Sequence, residues 1–575
     1  MKRSRIYKNL LVLFLIFSAG VMWNCARQSA DMVLLHGKIV TVDDKVPEAQ
    51  AIAVREGKIL AVGSDAEIKP FISAKTKTID LQGKLAVPGL IEGHGHFTGL
   101  GISLSQLNFM KVKNFDEIVA MVRDAAEKAK PGEWILGRGW HQEKWDKVPR
   151  PNVDGLPYPG ALSKAAANNP VWLRHASGHA GMANAKAMEL AGITKDTPNP
   201  AGGEIVKDPK GNPIGVFREN AMGLIGKALT GQRKNRTPAQ IEAEQQKIID
   251  VATEYCLAKG ITSFEDAGSS FRAIDRFKKR VDGGTLGIRL WVMIGESNAQ
   301  LKKHIDEYKI LHYGDERLTV RAIKRYMDGA LGSHGAWMLE PYSDLPASTG
   351  LNVTPLPELR ESARLAIEHG FQLCTHAIGD RANREVLNIY EEAFKQHPDK
   401  KNLRWRVEHA QHLNPADIPR FGQLGVIAAM QAIHCTSDGP WVIERLGEKR
   451  AREGAYVWQK LMKTGAVVTN GTDCPVEDPD PIPCYYAAVT RKLKDGSLFY
   501  PDQKMSRMEA LKSYTIKNAY AAFQEDIKGS LTPGKLADIT VLSKDILTVP
   551  DDEILQTEVL YTIVGGKVMY EKKKE

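Results

Sequence analysis

Cysteine is scarce and poorly placed for cross-linking. The six residues Cys25, Cys256, Cys374, Cys435, Cys474 and Cys484 form no C-x-x-C pair and no dense framework. That excludes a dense disulfide scaffold; an exported protein of this size could hold one disulfide, but the spacing demands none, and most of the six read as core thiols. Charge of one sign is lacking too. The formal net charge is +9, but Lys2, Arg3, Arg5 and Lys8 supply four of those positives ahead of an apolar run. The remaining charge of about +5 over several hundred residues forms no basic stripe, so nucleic acid is not an expected partner. Low-complexity tracts and solenoid repeats are absent.

No apolar run has the length of a membrane span. Leu10–Trp23 (LLVLFLIFSAGVMW) comes nearest, with roughly fourteen residues where a spanning helix needs about twenty. Behind its basic flank it reads as an export signal over 1–24. Cys25 directly after it suggests a bacterial lipoprotein signal, with Cys25 as the acylated residue. Met22-Trp23-Asn24 lacks the small residues usual before such a cysteine, which keeps an uncleaved anchor as the rival reading. The expectation is an exported protein, periplasmic or tethered to a membrane only through Cys25.

What is present is ordinary globular chemistry. The chain has 575 residues, 43% hydrophobic and 26% charged, enough for a large core and more than one domain. From 25 to 88 the sequence reads as short strands between Gly and Asp turns, as in MVLLHGKIVTVD and EAQAIAVREGKILAVGS. Residues 526–575 have the same character, in DITVLSK and VLYTIVGGKVMYE, so the two ends are expected to combine into a small β-sandwich domain. Between them, over 89–525, eight apolar runs stand out: LAVPGLIEGHGH, ITSFEDAG, GIRLWVMIG, LTVRAIKRYMDG, FQLCTHAIGD, LRWRVEHAQ, GVIAAMQAIH and AVVTNGTDCPV. Helix-like stretches lie between most of them. This alternation predicts an α/β fold, a closed (β/α)8 barrel whose site sits at the C-terminal ends of the strands. The gap after the first strand, about 98–259, predicts an insertion over the mouth.

Fifteen histidines are few enough to sort by position. His94 and His96, two apart on the first strand, point the same way. His376 ends the fifth run, His409 the sixth and Asp473 the eighth, while Lys324 lies within the fourth. A barrel brings these strand ends to one mouth, where four imidazoles and a carboxylate suit a borderline metal such as zinc. Asp266, Asp328 and Asp380 also follow strands and read as loop residues that accept hydrogen bonds. Arg138, Trp140 and Trp145, in GRGWHQEKW, are read either as pocket lining or as packing of the insertion. His175 and His412 read as structural or supporting groups.

At these residues the chain resembles amidohydrolase family 3, the group that includes N-substituted formamide deformylases. The stretches that carry the resemblance include PGLIEGHGHF, WILGRGW, SGHAGMANAKAMELAGI, IKRYMDGALGS, CTHAIGDRAN, RVEHAQHLNPADIPRF and GAYVWQKLMKTGAVVTNGTDCPVEDPDP. The resemblance implies two divalent ions, zinc by default: His94 and His96 on the first, His376 and His409 on the second. Lys324 would be N6-carboxylated and bridge the ions, and Asp473 would ligate the first and shuttle protons. His179, and His434 on the seventh strand, match positions that the resemblance expects to meet a small-molecule substrate; His334, Arg138 and Trp140 are further candidates for that contact. His334 stands where relatives often carry Arg, and His141 where an acidic residue is common, which puts substrate identity in doubt and not the metal site. The implied reaction is hydrolysis of a non-peptide C–N bond. Rival readings are another hydrolase or isomerase of the superfamily, or a surface-tethered binding protein that has lost catalysis. A homodimer is left open.

Overall fold

The structure is a computed structural model describing residues 29–233 and 237–573, so the expected export signal and Cys25 lie outside the described residues. The eight apolar runs form eight strands: β1 (Leu90–Gly95), β2 (Ile261–Ser269), β3 (Arg289–Ile294), β4 (Leu318–Tyr326), β5 (Gln372–Ala377), β6 (Arg406–His409), β7 (Ile427–Met430) and β8 (Val468–Asn470). Most are buried along their whole length. Strands apolar on both faces need helices outside and side chains inside, and parallel pairing supplies both. The ladder runs without a break from β8 back to β1, in reverse chain order.

The β8–β1 junction has no ladder of its own among the described residues. Two backbone bonds just beyond the strands, Asp473 N–H to His94 O and His96 N–H to Cys474 O, both 2.7 Å, and a set of side chains close it. Asn518 Nδ2 donates to Ile91 O at 2.8 Å on β1 and to Asn470 O at 2.9 Å on β8. Glu92 accepts from the Thr472 backbone N–H at 2.6 Å and from its hydroxyl at 3.0 Å. Glycine is required at position 93, where a Cβ would stand 2.4 Å from Asn470 O.

The barrel interior is unusually polar. Arg406, completely buried, ion-pairs with both Glu265 and Glu408. Lower down, Lys528 Nζ donates to Ser263 Oγ at 2.9 Å. Charges this deep persist only when paired and hydrogen-bonded.

Both chain ends build two further sheets. One holds Met32–Leu35, Ala51–Arg55, Lys58–Gly63 and Lys77–Asp80; the other joins Lys38–Val40, Glu48–Ala49 and Leu85–Pro88 to Ile539–Leu542, Val559–Val564 and Lys567–Glu571. Met32, Leu34, Ile39, Ile52, Ile539 and Ile563 share one core between them. The run LAVPGLIEGHGH therefore serves two units. It divides at Gly89, where a Cβ would fall 2.2 Å from Thr262 Oγ1. A buried Arg289–Asp538 ion pair of 2.7 Å ties β3 to the C-terminal segment.

Between β1 and β2, the helices Phe97–Leu104 and Pro238–Ala258 cross so closely that a Cβ on Gly101 would meet Ile248 O at 2.1 Å. Thr237 and Gln240 form a capping box at the second helix, with Pro238 in its first turn. These two helices belong to the barrel, and the added sheet lies between them. Its six strands run in the order Gly203–Lys207, Pro213–Glu219, Ala180–Ala183, Val171–His175, Ile135–Trp140, Leu107–Asn108.

Candidate metal centre

Alternation on β1 turns Glu92 and His94 into the barrel. His94 Nδ1 bonds Glu408, which is itself held by Arg406 at 2.7 Å. This chain fixes the ring and leaves Nε2 facing the mouth, 3.4 Å from Lys324 Nζ and 3.6 Å from Asp473 Oδ1. His96 Nε2 lies 3.2 Å from the same oxygen. Burial alone would raise the Glu408 carboxyl, but Arg406 and His94 outweigh it and hold it at about 2. Burial, helped by Lys324, pulls His94 down to about 4, so its imidazole is neutral at ordinary pH.

His409 reaches the mouth by a backbone turn. Arg406 and Glu408 already occupy the inward positions of β6, so simple alternation would send His409 outward. Its φ of 75°, followed by 42° at Ala410, rotates it in. The His409 ring then lies 4.7 Å from that of His94 and 4.5 Å from that of His376, centre to centre. Gln431 Nε2 donates to Ala429 O, so its Oε1 faces His409 Nδ1 at 2.7 Å. Nδ1 therefore carries the proton, and Nε2 presents a free lone pair. Asp473 also has left-handed backbone, φ 56°, and its N–H donates to His94 O at 2.7 Å. Burial would raise this carboxyl, but the His96 contact and the surrounding imidazoles hold it well below the usual range.

These donors fit a divalent cation. Ligand atoms of His94, His96 and Asp473 lie within 4.8 Å of one another, and so do those of His409, His434 and Asp473. Asp473 Oδ1 and His376 Nε2 are buried and make only long, poorly aligned contacts, to His96 Nε2 at 3.2 Å and to Asp328 Oδ1 at 3.4 Å. The neutral imidazoles of His94 and His409, the ionised Asp473 carboxylate and their inward-facing lone pairs are what a zinc-type ion requires. Lys324 and His376 stand outside both trios, although Lys324 is buried beside His94 and the His376 ring packs on His409. Burial lowers the Lys324 ammonium from its ordinary value.

Several expected neighbours fall elsewhere. His434 is not on β7 but in the first turn of the helix Ala432–Leu446, its ring stacked 6.2 Å from that of His409. Trp140 is no pocket wall. It is fully buried in the core of the insertion, donating Nε1–H to Leu173 O, because a bulge at Gly139 (φ 103°) turns it away from the face of Arg138. His179 pairs with Glu219 at 3.0 Å, on a loop whose charge is felt by His376. His334 is half-buried and tied to Asp344 at 3.1 Å, and Arg445 shares that carboxylate. Asp328 accepts from the backbone N–H groups of Trp337, Ile378 and Gly379, and Asp380 from that of Leu339, as loop organisers do. Glu408, Gln431 and Glu92, which orient the site, escaped the sequence reading. Their signal was an ionisable or amide group within or directly after an otherwise apolar buried strand.

The chain matches the family model described as the amidohydrolase family over residues 77–570. It is 34% identical to the Arabidopsis thaliana protein LONG AFTER FAR-RED 3 over 94% of this chain and 92% of that one. Identity to the N-substituted formamide deformylase of Arthrobacter pascens is 26%, over 95% and 99% of the two chains. Among solved structures, an uncharacterized metal-dependent hydrolase from Pyrococcus horikoshii superposes with a TM-score of 0.73 at 26% identity, covering 91% of this chain and 99% of that one. A family match over most of the sequence, a (β/α)8 barrel and a cluster of imidazoles and carboxylate at its mouth agree: the chain belongs to the amidohydrolase family.

Proposed function

We propose that the chain is a metal-dependent hydrolase of an amide-type C–N bond outside ordinary peptides. In this reading His94, His96, Lys324, His376, His409 and Asp473 hold two divalent ions, zinc by default, with Lys324 carboxylated on Nζ. Bound there, such ions polarise a carbonyl and acidify water. The observation that carries the reading is Asp473: a buried, ionised carboxylate whose Oδ1 is turned toward the Nε2 atoms of His94 and His96, and which is common to both ligand trios. That position suits a group that takes the proton of the attacking water and returns it to the departing nitrogen. The imidazole orientations support it, since Glu408 and Gln431 lock the rings of His94 and His409 with Nε2 inward. The burial of Lys324 favours the neutral amine that can add CO2, and a carbamate supplies the anionic oxygens that an ammonium lacks. The formamide deformylase relative supports the bond class.

The test is metal content and turnover on protein beginning at Ala26, prepared with bicarbonate. About two ions per chain and chelator-sensitive hydrolysis of N-formyl or N-acyl amines are expected. Asp473→Asn should keep most of the metal and lose at least about a hundredfold in turnover. Near-normal turnover in that variant removes Asp473 from the mechanism, and no metal after added Zn2+ overturns the reading.

A further inference from the structure

The strands Ile135–Trp140 and Val171–His175 are parallel neighbours, and their register places Arg138 directly opposite Arg174. Like charges facing each other across a ladder are unfavourable unless something anionic lies between them. The pair is also convergent. Arg138 Nη2 donates to Ala176 O at 2.8 Å and Arg174 Nη2 to Gly178 O at 3.3 Å, on the same short loop. Both guanidinium groups come within 4.0 Å of the point where a Cβ on Gly178 would stand. Glycine is needed there for its φ of 80°.

Four cations near the mouth each have a carboxylate: Lys144 has Glu477, Arg218 has Glu204, Arg445 has Asp344, and His179 has Glu219. Among the described residues, none pairs with Arg138 or Arg174, and Arg138 Nε is buried with no hydrogen-bond partner. The pair lies on the part of the insertion that meets the mouth: Lys144, four residues beyond the end of the Arg138 strand, reaches Glu477, four residues beyond Asp473, at 3.4 Å. Asp473 also acts electrostatically on Arg138. Burial and Arg174 together pull Arg138 down to about 10, still a full positive charge at neutral pH.

We propose that Arg138 and Arg174 form an anion subsite beside the metal centre, and that the substrate is an amide bearing a carboxylate. A planar carboxylate matches the guanidinium fork and would relieve both the facing charges and the orphaned donor. The inference rests on the amidohydrolase reading for the amide, and on the arginine geometry alone for the anion.

The experiment uses matched pairs on the metal-loaded protein: N-formyl and N-acetyl derivatives of glycine, β-alanine and 4-aminobutyrate, each as free acid and as carboxamide. Binding is read by calorimetry and hydrolysis by amine release. At least one free acid should bind about tenfold or more tighter than its carboxamide, as charge-assisted bonds imply. Arg174→Gln, at an exposed position, should abolish that preference while metal content stays unchanged. Arg138→Gln should do the same. Preference for the acid without hydrolysis of any pair would keep the anion subsite and sink the hydrolytic reading. Hydrolysis with equal binding of acid and carboxamide would sink the subsite. So would a preference that survives both arginine substitutions, since the carboxylate would then be held by the metal.

Discussion

Replacing Glu408 by Gln removes one charge from the middle of the chain Glu265–Arg406–Glu408–His94, all of it buried. The carboxylate ion-pairs with Arg406 Nε through Oε1 at 2.7 Å, while its Oε2 accepts from Arg406 Nη2 at 3.2 Å and from His94 Nδ1. An amide offers only one acceptor. If its oxygen serves His94, its NH2 meets the Arg406 guanidinium, donor against donor. The carboxyl is held at about 2 against an ordinary 4.5, which corresponds to about 3 kcal/mol. Removal of one partner from a buried ion pair costs a similar amount, about 3–5 kcal/mol. The sign follows from the depression: this stability is fully present above pH 4.5 and is lost as pH falls through 2. Urea unfolding of the metal-free protein should therefore show Glu408→Gln destabilised at pH 7, by about 1 M in midpoint for a slope of about 3 kcal/mol/M. At pH 3 the gap should shrink to roughly two-fifths. Zinc affinity, read by competition with a chromogenic chelator, should fall about 10–100-fold because the His94 ring is no longer fixed. Equal midpoints at pH 7 with unchanged zinc affinity would refute the assignment of Glu408 as the group that orients His94.

Three more expectations follow from the geometry. Asn518→Ala orphans the carbonyls of Ile91 and Asn470 at the β8–β1 junction, so about 2–4 kcal/mol should be lost and amide exchange in β1 and β8 should accelerate, whereas unchanged exchange would mean the junction is held by other groups. Lys324→Ala should bind about one ion per chain whether or not bicarbonate is supplied, while the parent binds about two only when it is; a bicarbonate-independent parent argues against the carbamate. Trp140→Phe removes the bond to Leu173 O and should lower stability by about 1 kcal/mol, with substrate discrimination untouched; altered discrimination would return Trp140 to the pocket.

The barrel was legible because its strands are buried on both faces and read as uninterrupted apolar runs. The residues that end those runs, His94, His376, His409 and Asp473, were legible for the same reason: a polar group closing an apolar strand stands out. What period-two reasoning could not supply is local backbone twist. His409 and Asp473 face the mouth through left-handed φ, and Trp140 leaves its expected face through the bulge at Gly139. The turn from β7 into a helix at Ala432 also hid the setting of His434, because the apolar run GVIAAMQAIH continues across the boundary. The pairing of Arg138 with Arg174 depends on strand register, which no short motif carries.

The β8–β1 junction brings the two ends of the barrel sequence into one candidate ligand set. One ligand trio joins His94 and His96 to Asp473 across that junction, between segments bridged by Thr472 and Glu92, 380 residues apart in sequence. A partly synthesised or partly folded chain can offer the two histidines but not the carboxylate, and so holds an ion weakly. On the proposed ligand assignment, firm metal capture would wait until the last strand had closed the circle, and the ion would be both a latch on that closure and a report of it.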